Sequence, residues 1–63
     1  MSTYAPSEII ALEIEVEHLR AVRARALAHA KEINSDYAWE QVADADRLWK
    51  NAKADLAAAR YAA

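Results

Sequence analysis

Apolar residues recur at alternating spacings of three and four along the first half of the chain, between positions 9 and 33. This spacing places one row of side chains along a single face of an α-helix, as in the contact row of a coiled coil. The pattern therefore predicts one long amphipathic helix. We call this row the first seam; its members are Ile9, Leu12, Val16, Leu19, Arg23, Ala26, Ala30 and Ile33.

A second row with the same spacing follows after a short polar segment. The chain has no glycine and one proline, and its commonest residue is alanine, the strongest helix former. We predict one all-α domain with a first helix over 6–33, a turn at 34–36 and a second helix over 36–62. The members of the second seam are Ala38, Val42, Ala45, Trp49, Ala52, Leu56, Ala59 and Ala63.

Residues at both ends of the first predicted helix carry boundary signals. Pro6 suits the first helical position, where its missing N–H costs nothing, and Glu8 suits the positive end of the helix. Tyr4 and Ile9 are spaced as a hydrophobic staple. Asn34 can take the left-handed conformation that ends a helix, and either of the next two residues can cap the second helix.

A turn this short makes the two helices antiparallel, so the seams face each other. Folding the chain at Ser35 brings Leu19 level with Ala52 and Leu12 level with Ala59. Large side chains then face small ones, which fills the space between closely spaced helices. The predicted core of this hairpin consists of Ile9, Leu12, Val16, Leu19, Val42, Trp49 and Leu56.

Acidic residues precede basic residues in each helix, so antiparallel helices place opposite charges side by side. We expect Glu13 and Glu17 to approach Lys53 and Arg60. We expect Arg20 and Arg25 to approach the acidic residues at 40–46. The basic cluster that contains these two arginines has two interpretations. It is either a pairing face of the hairpin or a patch that binds phosphate.

Arg23 occupies a seam position near the level of Trp49. Its aliphatic stem can lie against the indole ring while its guanidinium group reaches an acid such as Asp46. A polar residue in a seam often fixes the register of the helices. The alternative is an arginine presented to an acidic partner.

A hairpin of this size has only one seam to bury, and the sequence contains no cysteine for a disulfide. Self-association is the remaining source of burial. Ile10 and Ile14 lie on the far side of the first helix from its seam, and Ala21 and Ala28 continue that side. We predict that these four residues mediate a homodimer, a four-helix bundle.

Two aromatic residues point away from the second seam. Trp39 lies near the turn and Tyr61 near the other end of the helix, and such residues on an outer face are typical anchors in protein interfaces. We predict that Trp39, Tyr61, Arg20 and Arg25 bind another protein. Alternatively, Trp39 and the isoleucines at 10 and 14 are all buried in the homodimer.

Residues that could support catalysis or metal binding are sparse. His18 and His29 are eleven residues apart, about 16 Å along a helix, so they cannot share a metal ion. Glu15 and His18 form one Glu-x-x-His step, the unit of di-metal bundles, but they lie off the seam. We predict no catalytic site, no metal and no cofactor, and hence no enzyme.

The charge pattern also bears on location and on the kind of partner. The first residues lack the basic segment of a secretory signal, and Glu13, Glu15 and Glu17 interrupt the only candidate membrane span. We expect a soluble, cytoplasmic protein. A formal net charge of −2 disfavours nucleic acid as a partner.

The hairpin pattern, the small size and the high alanine content resemble those of small phage-encoded helical inhibitors, of the anti-activator or anti-CRISPR type. This resemblance implies a non-catalytic protein that inhibits or sequesters a regulatory or defence protein in the cytoplasm of a bacterial host. The hairpin is also similar to the Rop-like hairpin dimers, which implies RNA binding on a helical face. A purely structural subunit of a helical assembly is a further alternative.

Overall fold

The computed structural model describes residues 5–62, which form two α-helices joined by a two-residue turn. Helix α1 is Pro6–Ile33 and helix α2 is Asp36–Ala62, and the described residues contain no strand. The predicted all-α hairpin is confirmed. Its principal dimensions are 48 × 14 × 11 Å, so the molecule is a rod. The expected staple at Tyr4 and the last seam position, Ala63, lie outside the described residues.

Backbone geometry explains where each helix begins and ends. Ala5 is extended, and its carbonyl oxygen accepts the N–H groups of the first turn of α1. Asn34 adopts the expected left-handed conformation, with φ 53° and ψ 45°, and its N–H donates to the Ala30 carbonyl oxygen at 2.7 Å. Of the two candidate caps of α2, Ser35 is the residue that caps the helix, because its Oγ accepts a hydrogen bond from the Ala38 N–H at 3.1 Å.

Alanine forms most of the contact between the helices. The buried apolar residues are five alanines and Leu56, and no large side chain of the described residues is fully enclosed. Of the predicted core, Leu56 is buried, and the other six residues are half-buried along the flanks of the contact. The small side chains let the helices approach closely, which leaves the larger ones at the edges. The buried alanines are Ala30, Ala38, Ala45, Ala52 and Ala59.

Ile33 departs from the seam prediction, because 53% of its surface is exposed. It is the last residue of α1, and α2 begins only three residues later. The chain reverses at this level, so little of α2 lies opposite the isoleucine. The seam therefore ends one turn earlier than the spacing predicts, at Ala30.

Candidate protein-interaction surface

The contact between the two helices has a side-chain row on each flank, which gives the rod two sides, and the two sides differ in chemistry. On one, which we call the ion-paired side, Arg23 lies beside Asp46 and Trp49. On the other, an open groove runs between the helices; we call it the groove side. It is lined by Val22, Ala26, Gln41, Asp44, Ala45 and Leu48.

The ion-paired side is covered by its own charged side chains. Arg23 Nε donates to Asp46 Oδ1 at 2.7 Å, and the guanidinium carbon lies 5.3 Å from the centre of the Trp49 ring. The predicted stacking of Arg23 and its reach to Asp46 are both confirmed. Lys53 Nζ lies 3.9 Å from the same ring centre, and Lys50 Nζ lies 2.9 Å from Asp46 Oδ2. The hydrogen bonds from Lys50 and Arg23 lower the pKa of Asp46.

Two further ion pairs involve residues of the predicted charge pattern. Arg60 donates to Glu13 across the helices at 2.7 Å, as predicted. Arg20 instead donates to Glu17 one turn away on its own helix, at 3.0 and 3.2 Å, so Glu17 does not pair with Lys53 or Arg60 as predicted. Hydrogen bonding and charge attraction between them lower the pKa of Glu17 and raise that of Arg20. Arg20 does not reach the segment 40–46, because a neighbour three residues away on the same helix face is closer.

The groove side is open, with a volume of about 390 Å³. Both interhelical ion pairs of the described residues lie on the opposite side of the hairpin. Asp44 at the groove rim pairs within its own helix, with Arg47 at 2.6 Å. Leu48 remains 54% exposed beside half-buried Val22 and Ala26. The groove is therefore an apolar surface that the hairpin itself does not close.

Exposed apolar residues continue the groove side towards the turn. Tyr37 lies one turn before Gln41 on α2, and Ile33 lies two turns after Ala26 on α1, so both share the side of the groove. Both are exposed. The sequence signal was present: Tyr37, Gln41, Asp44 and Leu48 have seam spacing one residue ahead of the second seam. It was missed because two of the four are polar.

The predicted self-association residues all lie on the surface. Ile14 is 65% exposed, and Ile10, Ala21 and Ala28 are also exposed, on the side of α1 that faces away from α2. We call this row the outer ridge. Two isoleucines one turn apart and in water form a second apolar surface, separate from the groove.

The predicted partner-binding residues do not form one cluster. Trp39 is 40% exposed, and its Nε1–H donates to Asn34 Oδ1 at 2.9 Å, which fixes the indole ring beside the turn. Tyr61 is 96% exposed at the other end of α2, about 33 Å away at 1.5 Å per residue. Arg25 is exposed on α1 and forms no ion pair with the described residues. Of the two predicted aromatic anchors, Trp39 is therefore held by a hydrogen bond, and Arg20 is held by its pair with Glu17.

No group of three or more potential metal ligands occurs among residues 5–62. Neither of the two helices, as far as they are described, combines the length and apolar character that a membrane span requires. Comparisons with protein-family models, with curated proteins and with solved structures gave no match to this chain.

Proposed function

We propose that the protein is a small, non-catalytic protein-binding module that occupies the surface of another protein and thereby inhibits or sequesters it. One observation carries this proposal: more large apolar side chains are exposed than are buried. Neighbouring exposed apolar side chains, such as Ile10 and Ile14 one turn apart on α1, are typical of interaction sites. The exposed residues are Ile10, Ile14, Ile33, Tyr37, Trp39, Leu48 and Tyr61.

The total surface supports a binding role. The chain exposes 4715 Å², whereas a compact monomer of 7.0 kDa exposes about 4000 Å². The difference reflects the elongated two-helix shape, in which most large side chains lie at the surface. A rod of this shape also buries no large side chain completely, so it gains stability from any chain that covers it.

In place of the homodimer predicted for Ile10, Ile14, Ala21 and Ala28, we assign this outer ridge to the partner protein, together with Trp39. The isoleucines at 10 and 14 offer an apolar row at helical spacing, which fits a helix or a groove on another chain. Trp39 is a rigid aromatic side chain whose orientation is set by Asn34, so it loses little freedom on binding. We include a homodimer and a cytoplasmic location in the same proposal.

The RNA-binding alternative has less support. Of the arginines in the basic cluster that would contact phosphate, Arg20 and Arg23 each donate to a carboxylate instead, whereas Arg25 forms no ion pair with the described residues. An RNA backbone would have to displace those carboxylates, and the formal net charge of the chain is −2.

Site-specific photo-crosslinking tests the proposal in the cells that encode the protein. A photoreactive phenylalanine analogue replaces Ile14 in one variant, Trp39 in a second and Ala54, an exposed alanine of α2, in a control. We expect the first two variants to form an adduct with the same cellular protein and the control to form none. Adducts only with the chain itself, or no adduct at all, would contradict a separate protein partner.

Once captured, the target allows a quantitative test of Trp39. Trp39→Ala should weaken binding by about 2 kcal/mol or more, as truncation of an aromatic hot spot does. Arg25→Ala, the matched control on α1, should change mainly the association rate and its salt dependence. The RNA-binding interpretation predicts the reverse order, with steep loss of binding as salt is added.

A further inference from the structure

The groove side differs from the ion-paired side in what covers it. On the ion-paired side, Arg23 and Lys53 lie over the Trp49 ring. On the groove side, no interhelical ion pair of the described residues lies above Val22 and Leu48. The ion-paired side is therefore covered by side chains of the hairpin itself, whereas the apolar residues of the groove side remain exposed.

We propose that a second copy of this chain covers the groove side, with the turns of the two hairpins at opposite ends of the dimer. This dimer specifies the self-association included in the proposed function. It leaves the outer ridge free for the partner. The groove side fits a second copy of itself, because its acidic positions, Glu15 and Asp55, can lie opposite His29 and Gln41 of the other chain.

Two symmetric arrangements can stack the groove sides, since a twofold interface brings the same patch of both chains together. In the first, the turns lie at the same end, and α1 of one copy lies on α2 of the other at equal levels. Val22 of α1 and Leu48 of α2 line the groove at the same height along the rod. Because the helices are antiparallel, Glu15, seven residues before Val22, lies at the same height as Asp55, seven residues after Leu48. This arrangement sets Glu15 of each copy over Asp55 of the other, and like charges repel.

In the second arrangement the turns lie at opposite ends, and each helix lies on its own counterpart, antiparallel. The twofold axis passes the helices at Val22 and Leu48. A residue a given number of positions before Val22 in one copy therefore meets the residue the same number of positions after Val22 in the other copy, and the same holds around Leu48. Seven residues out, the His29 imidazole of one copy faces Glu15 of the other, and the Gln41 amide, an N–H donor, faces an Asp55 carboxylate. No acidic pair coincides at these levels.

Side-chain size favours the same arrangement. Eleven residues from the centre, Ile33 of one copy lies over Ala11 of the other, and Tyr37 lies over Ala59. Ala59 is fully buried against α1, so no side chain stands above the surface there. Large side chains thus meet small ones, as close packing requires. With the turns at the same end, Ile33 would instead meet Tyr37, large against large.

Two substitutions test whether the groove side forms the dimer interface. Sedimentation measures the dimer dissociation constant of each variant. Leu48→Glu should raise the dimer dissociation constant at least about 100-fold, because the carboxylate would be desolvated at the centre of the interface. Ile14→Glu is the matched control, because Ile14 is a similarly exposed apolar residue on the outer ridge. It should leave the dimer intact. Far-UV circular dichroism checks that both variants keep their helices.

A distance measurement tests the arrangement without altering the groove. The sequence has no cysteine, so Glu32→Cys gives a single spin label on the exposed last turn of α1. Opposed turns predict label separations of about 30 Å or more, since each label lies ten residues from the centre. Turns at the same end predict about 20 Å or less, from helices about 10 Å apart.

The outcomes distinguish the surface that forms the dimer from the orientation of the two copies in it. A dimer that persists in Leu48→Glu, or that is lost in Ile14→Glu, would overturn the assignment of the groove side. A short label distance would overturn the arrangement. A parent chain that stays monomeric at high concentration would overturn self-association itself, while the photo-crosslinking result would still decide whether the protein binds another partner.

Discussion

Ala52→Leu tests whether the helices lie as close together as the alanine contacts indicate. Ala52 is in the middle of α2 and 6% exposed against α1. Leucine adds three carbon atoms where the neighbouring helix leaves no room for them. Overpacking of this kind costs about 1–3 kcal/mol. For a chain of this length, each kcal/mol lowers the melting temperature by about 4–8 °C, so a fall of about 5–20 °C is expected.

Ala54→Leu is the matched control for this substitution. It makes the same chemical change two residues further along α2, at an exposed position. Its stability should stay within about 0.5 kcal/mol of the parent. Thermal melting followed by far-UV circular dichroism, at one fixed protein concentration, compares the three chains. Similar melting curves for the two leucine variants would show that the helices lie further apart at this level, and the close-contact argument would fail.

Three further results are expected. Leu56→Ala should cost about 2–5 kcal/mol in urea unfolding, because it removes the one large buried side chain among the described residues. Ser35→Ala should cost about 0.5–2 kcal/mol in the same assay, since it removes the cap of α2. Asp46→Asn should lower the melting temperature at pH 7, and this difference should shrink as the pH falls below the ordinary pKa of an aspartate. The folded-state pKa of Asp46 lies below its ordinary value of 3.8, so its contribution is present above that pH and is lost as pH falls through the folded-state pKa.

The helices and the turn were predictable because every local signal agreed. Two seams with unbroken spacing, no glycine and a single early proline leave only 34–36 as a break. Asn34 is one of the few residues that tolerate the left-handed conformation. What the sequence left open was the choice between Ser35 and Asp36 as cap, because both carry an oxygen that can accept the N–H.

The groove side could not be read from the seams because it depends on side-chain choices across two helices. Arg23 and Val22 are adjacent in sequence but lie on opposite sides of the hairpin. The pairing of Arg23 with Asp46 links the helices on the ion-paired side. Asp44 instead pairs with Arg47 on its own helix, so it does not link the helices on the groove side. Both acids lie within the segment predicted to meet arginines of α1. Only the three-dimensional arrangement distinguishes them.

The alanine seam links the fold of this chain to its need for other chains. Small residues bring the helices close, and the same closeness pushes Leu48 and Val22 to the edge, where they are only partly covered. The two helices are thus in close contact with each other, but the large apolar side chains of the hairpin are incompletely buried. A chain that binds only the folded state stabilises it by RT ln(1 + [L]/Kd), about 2.7 kcal/mol when the ligand is at one hundred times Kd. For a hairpin whose only large buried side chain among the described residues is Leu56, that amount is a large fraction of the total stability. Folding and binding are therefore coupled, and the melting temperature should rise with the concentration of whichever chain covers the groove.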